Sequence, residues 1–226
     1  MNADLSEKLK DILELEREPV AIKWSPKEPR NIRKESEKSR FCTKLDKAMN
    51  GEIFYSSRGR RVPGWGPHSG MKDISEFPAN MRSGAFLTQM GVHKDIPAVQ
   101  RAWSHYRAMD KGLFSSILFA PLAKAEFEAD VIFIVCSSQQ GMEILHANSY
   151  DGAVQAIGAD VGPICSTMAA LPYMTGQVTY GFAEVGARNN MEIKPEEVMV
   201  AIPASQLERI VCYLEAMRNT MMFKKN

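Results

Sequence analysis

Three stretches of the chain carry the side chains best suited to chemistry. In residues 56–70, Arg58, Arg60 and Arg61 accompany Trp65 and His68 among closely spaced Gly and Pro residues. Guanidinium groups fork onto carboxylate or phosphate oxygens and stack on planar groups, so this composition suits a loop that closes over a planar or anionic ligand. A solvated basic loop is the competing reading, because long Gly-rich loops are either functional or mobile. His68 is the histidine best placed for acid–base work; His93, His105 and His146 fall in or beside helical patterns, where structural roles are commoner. In residues 130–146 an apolar run breaks at Cys136-Ser-Ser-Gln-Gln140 into a helical pattern. A strand that feeds a helix through a small polar turn aims free backbone N–H groups at one spot, which makes Ser137, Gln139 and Gln140 candidate ligand contacts. Near the C-terminal third, Glu184 and Arg188 flank a Gly-interrupted turn.

The thiols form the other set. Cys42, Cys136, Cys165 and Cys212 include no C-x-x-C pair, and a chain of 226 residues needs no disulfide to fold, so reduced thiols are expected. Cys42 falls near a predicted helix start, and Cys165 falls in the first turn of a helix entered through Pro163. Unpaired N–H groups there favour a thiolate or a metal ligand, against the alternative of a packed thiol on an apolar stripe. Cys212, beside Val211 and Leu214 in a helical pattern, reads as a small buried hydrophobe.

The elements that must position these residues alternate. Leu5, Leu9, Ile12 and Leu13 predict an N-terminal helix, with Asp4 and Glu7 spaced as a capping box, stopping before Pro19. Val20, Ile22 and Trp24 alternate as in a strand, and Phe41, Leu45, Ala48 and Met49 make a helical face closed by Gly51. The charged run 27–40 reads as a surface connection without a function. A helix from Ile96 carries Val99, Trp103, Tyr106 and Met109 as an apolar stripe expected in the core. Further strands are expected at 53–55, the second of the chain, and at 114–119, 130–135, 177–180 and 198–202, with 130–135 apolar enough to be central. Ser205 and Glu208 are spaced as the capping box of a last helix.

The balance of 28 Lys+Arg against 27 Asp+Glu gives no net field that would draw the whole molecule to nucleic acid or an acidic membrane, although a local patch could still do so. The charged residues of the N-terminus exclude the apolar core of a signal peptide, and no stretch approaches the roughly 18 apolar residues of a membrane span. A cytoplasmic protein is expected, with neither nucleic acid nor membrane as partner.

Taken together, Pro19-Val-Ala-Ile22 after a helix, Cys42 with Ala48 and Gly51, Asp130-Val-Ile-Phe133 leading to Gln139-Gln140, Cys165 before Pro172, Ala187-Arg188 and Ile202-Pro203 with Leu207 resemble the prokaryotic family known as domain of unknown function 169. The resemblance runs over nearly the whole chain and names neither activity nor cofactor. The family pattern implies two further cysteines, one in the loop after the second strand and one before the Gly-x-Arg turn. With Cys42 and Cys165 these would make four thiolates, enough for zinc or an iron–sulfur cluster. This chain has no cysteine in residues 56–70 or 181–188, and His68 or Glu184 would have to substitute.

The sequence therefore predicts one α/β or α+β domain with a mixed β-sheet and packed helices. The leading functional expectation is a protein that binds a small anionic ligand or cofactor where the 136–140 turn, the Arg-rich loop and the Cys165 helix start converge. A metal-dependent or iron–sulfur redox protein using Cys42, Cys165 and His68, with His68 and Cys165 as catalytic candidates, is the second. The third is a homo-oligomer whose exposed Met and aromatic residues form subunit contacts.

Overall fold

A computed structural model of the chain describes residues 2–35, 37–58, 66–152, 155–159 and 162–220. Its centre is β4 (Val131–Ser137), which sits between β1 (Val20–Ser25) and β7 (Glu197–Pro203) in a seven-stranded sheet of order β2-β3-β1-β4-β7-β6-β5. The other strands are β2 (Phe54–Ser57), β3 (Ser116–Pro121), β5 (Ile157–Gly158) and β6 (Thr179–Gly181). All neighbours pair antiparallel except β5 and β6, so the sheet is mixed. The 130–135 run is central, as its continuous apolar character predicts, because both faces of the sheet are covered.

Alternation along β4 shows how the layers are built. Val131, Phe133 and Val135 point into one core with Ile22, Trp24, Phe54 and Phe119. Ile132, Ile134 and Cys136 point into the other with Val200 and Ile202. On the second face lie α1 (Asn2–Leu13), α6 (Ser138–Asn148) and α9 (Ala204–Arg218), through Leu9, Ile144 and the stripe Leu207, Ile210, Val211, Leu214 and Met217. On the first lie α2 (Phe41–Met49), a π-helix at Ser166–Ala170 continuing into α7 (Leu171–Thr175), and α8 (Val185–Asn190). Three short helices, α3 (Ala79–Arg82), α4 (Ala85–Gln89) and α5 (Ile96–His105), lie between β2 and β3 in the chain.

Several expectations are corrected. The last helix starts at Ala204 with Pro203 at its N-cap, so Ser205 lies inside the first turn and no side chain caps it. Asp4 likewise sits within the first turn of α1. The α5 stripe is not core: Val99 and Met109 are buried, whereas Trp103 and Tyr106 are half-exposed and the helix ends at His105. Cys212 is exposed on α9, on the face turned away from the sheet. The 27–40 run is less superficial than its charge suggests, since Lys34 bridges to Tyr55 and Glu35 is buried against Lys44.

Candidate functional site

The strand-to-helix turn is built as expected, and the Ser137, Ser138 and Gln140 N–H groups each have a partner within the protein. Ser137 Oγ accepts the Gln140 N–H at 3.2 Å, and Gln140 Oε1 accepts the Ser137 N–H at 2.8 Å, a reciprocal capping box. The Ser138 N–H donates to the Glu196 carbonyl, and Gln140 Nε2 donates to the Leu13 and Glu14 carbonyls that end α1. Gln139 pairs with Glu143 one turn on. The Gln140 bonds join α6 to α1, so the turn serves the fold through residues that were expected to meet an anion.

Of the three segments expected to converge, the 136–140 turn lies away from the described start of the Arg-rich loop. Ser57 aligns with Ser116 and Ser116 with Ser25, so Arg58 follows the Ser25 end of the sheet. Phe133 aligns with Val20 at the other end of β1, and Ser137 lies beyond it, about 30 Å from the Arg58 end along the strands. The guanidinium of Arg58 lies by Gly112. Arg60, Arg61 and Trp65 lie outside the described residues. Arg188 is also spent on the fold, donating to the carbonyls of Phe182 at 2.7 Å, Glu197 at 3.3 Å and Lys194.

What the fold does bring together is Cys42 and Cys165, in the core of the first face, with the half-buried Glu184 carboxyl close enough to act on both. The Glu184 carboxylate accepts the Ile164 N–H at 3.2 Å. Two backbone irregularities lie at this cluster. Pro172 has no N–H to return to the helix, and its ring clashes with the carbonyl four residues back, so the segment Ser166–Ala170 after Cys165 widens into a π-helix. Ala183, next to Glu184, has φ +66°, a left-handed conformation that strains a residue bearing a Cβ. Nearby, His68 Nδ1 lies 2.9 Å from the Arg107 carbonyl, which also accepts Ser166 Oγ at 3.0 Å.

The electrostatics oppose ionisation here. Burial pushes both the Cys42 and Cys165 thiols above the ordinary range, Cys165 the further, and Glu184 beside them adds to the effect. The helix-end stabilisation expected of both thiolates is outweighed. Burial also raises the Glu184 carboxyl, although its N–H partners and the Arg40 guanidinium work against it, and burial lowers the His68 imidazole. Cys136, in the second core, is pushed up to about 12 by burial. Among the described residues no group of three or more His, Cys, Asp or Glu side chains could hold a metal ion, so Cys42, Cys165 and His68 do not form the expected centre. Arg40 and Ala183 were not legible as parts of this cluster, since one ends a charged run and the other is a featureless Ala.

Accordingly, in a thiol titration at pH 8 the folded protein should react through Cys212 alone, with Cys42, Cys136 and Cys165 appearing only on denaturation. Fast reaction of a second thiol in the native protein would contradict the burial of the cluster.

A separate concavity of about 510 Å³ runs along α6, from Ser138 past Met142 and His146 to Ser149. Val198 and Val200 of β7 form its floor, and Tyr180 and Phe182 its far wall. Gly141 makes the floor possible: a Cβ there would stand 2.8 Å from Val198 Cγ2, so only glycine lets α6 lie this close to β7.

Fold and site together define an α/β protein with a single mixed sheet, helices on both faces, a buried thiol–carboxyl cluster on one side and an apolar groove on the other. The chain belongs to the family DUF169, described as "Uncharacterised ArCR", whose model matches residues 8–212. It is similar to "Uncharacterized protein MJ0308" of Methanocaldococcus jannaschii, with 23% identity over 219 residues that cover 94% of this chain and 93% of that protein. No solved structure matches it. No helix among the described residues is long and apolar enough to cross a membrane.

Proposed function

We propose that this protein binds a small molecule in the groove along α6. The observation that carries the reading is the groove itself: its volume falls in the range of small-molecule sites, and an apolar floor meets a few polar residues, Ser138, His146 and Ser149. Among the described residues no Lys or Arg lines it, so an apolar or aromatic body is the part of the ligand it selects. An anionic group would have to reach beyond the groove. Met142 and Phe182, 43% and 55% exposed, stand at the rim where a ligand would cover them.

The probe for this reading is anilinonaphthalene sulfonate, an aromatic body with one anionic group. Met142→Glu places a negative charge at the rim from an exposed position and should weaken binding of the anionic probe roughly tenfold without altering the fold, the equivalent of about 1.4 kcal/mol. Equal affinity in wild type and variant, followed by fluorescence titration, would remove the groove from consideration.

A second reading rests on the convergence of the π-helix and the strained Ala183 on Cys42, Cys165 and Glu184, since such irregularities concentrate at functional sites. It is a thiol-based redox function, and it requires one of the two thiols to become accessible during turnover.

A further inference from the structure

The segment 79–107 projects from the fold with little of its own surface buried. Neither α3 nor α4 buries a residue, and α5 buries Val99 alone. The segment packs on itself: Gly84, at φ +86°, is so close to Val99 that a Cβ would stand 2.9 Å from it, which clamps the start of α4 against α5. Phe77 and Trp103 meet edge to face at the base, with ring centroids 6.5 Å apart.

Two properties coincide on this projection. Phe86, Met90, Val92 and Ile96, at 39%, 63%, 56% and 39% exposure, crowd the end of α4 and the turn into α5. Around them the charge is one-sided. Residues 79–107 hold Arg82, Lys94, Arg101 and Arg107, all exposed, against the single acid Asp95, in a chain whose charges otherwise balance. Asp95 accepts the Ala98 N–H through Oδ1 as the N-cap of α5, and its Oδ2 lies 3.9 Å from Lys94 Nζ, a loose and exposed pair that leaves Arg82, Arg101 and Arg107 without an acid in the segment.

Exposed aliphatic and aromatic side chains framed by Arg and Lys are the chemistry of a segment that lies in the interface of an anionic bilayer. Nucleic acid would match the charge but has no partner for Met90, Val92 and Ile96. We infer that the 79–107 projection docks on an anionic lipid surface, with Phe86, Met90, Val92 and Ile96 entering the headgroup region and Arg82, Lys94 and Arg101 supplying the attraction to the lipid phosphates. The near-neutral chain as a whole supplies no such attraction, and the absence of a long apolar helix concerns spanning rather than this peripheral contact.

The test is co-sedimentation of the full chain with vesicles of phosphatidylcholine, with and without phosphatidylserine, across a salt series. Binding should require phosphatidylserine and fall as salt rises. It should weaken roughly fivefold for each charge removed in Arg82→Gln, Lys94→Gln and Arg101→Gln, and be lost in the exposed double variant Met90→Ser, Val92→Ser, with circular dichroism unchanged in all. No sedimentation with phosphatidylserine vesicles, equal binding to pure phosphatidylcholine, or binding that survives the double variant would each overturn the inference. So would a concentration-dependent dimer abolished by Met90→Ser, Val92→Ser, because the patch would then be covered by a second copy of the chain.

Discussion

Glu35→Leu is expected to destabilise the protein by about 3–5 kcal/mol at neutral pH, measured by urea unfolding. The Glu35 and Lys44 side chains are 2% and 3% exposed and bonded to one another. Lys47 at 3.0 Å and the Ser56 hydroxyl at 3.2 Å also reach Glu35. Removing the carboxylate takes away the acid bonded directly to the buried Lys44 ammonium, whose remaining neighbours include the Ser39 hydroxyl, the face of Phe54 and the charge of Glu37. The pH dependence gives the prediction its sign. Burial by itself would raise the Glu35 carboxyl, but Lys44 and Lys47 outweigh it and hold it below its ordinary value of 4.5. That stabilisation is present above 4.5 and is lost as pH falls through the lower folded value. Burial pulls Lys44 below 10.5, against the pull of Glu35. In the variant this depression deepens, the unfolded chain binds more protons up to 10.5, and stability should climb with pH over the alkaline range. A variant within 1 kcal/mol of wild type, or one with no alkaline recovery, would show that the pair is hydrated and peripheral.

This pair also marks the limit of what the sequence discloses. Strands and amphipathic helices announce themselves by periodicity, so Val20–Ser25, Val131–Ser137, Phe41–Met49 and Ala204–Arg218 are legible in outline. Glu35 and Lys44 are two members of a mixed-charge run and a helix, and nothing local separates them from their solvated neighbours. Their burial arises because the chain after β1 returns to cover the edge of β2, a tertiary event without a sequence period. The same holds at the turn Ser137–Gln140. Its residue types identify a helix start, and they serve equally for an anion site and for a capping box that fastens α1. The choice depends on where Leu13 ends, more than a hundred residues away in the chain. Cys42 and Cys165 are legible as a pair of interest, yet their chemistry follows from desolvation in the packed core, which outweighs the helix ends that spacing reveals. The groove is legible in no motif at all, since it exists only because Gly141 admits β7 against α6.

Arg188→Ala should cost about 2–3 kcal/mol, and Arg188→Lys should recover little of it. The guanidinium reaches three carbonyls from two sides, Phe182 in the turn before α8 and Lys194 and Glu197 at the entry to β7. Charged hydrogen bonds of this kind are each worth roughly 1.5–3 kcal/mol, reduced here because Arg188 is half-exposed and water can replace part of the fork. A Lys ammonium supplies one point of charge on a flexible stem and cannot span the same three acceptors. The fork fixes the turn that carries Phe182 to the rim of the groove and Glu184 to the thiols, with Ala183 strained between them. Loss of the fork lets Ala183 relax, which offsets part of the cost, of order 1–3 kcal/mol where such strain is relieved. It also frees Phe182 from its place, so anilinonaphthalene sulfonate should bind the variant more weakly although Arg188 does not line the groove. A direct ligand contact, the role its residue type suggests, would give the opposite pattern. Stability measured by urea unfolding would be unchanged, and only ligands bearing an anionic group would lose affinity.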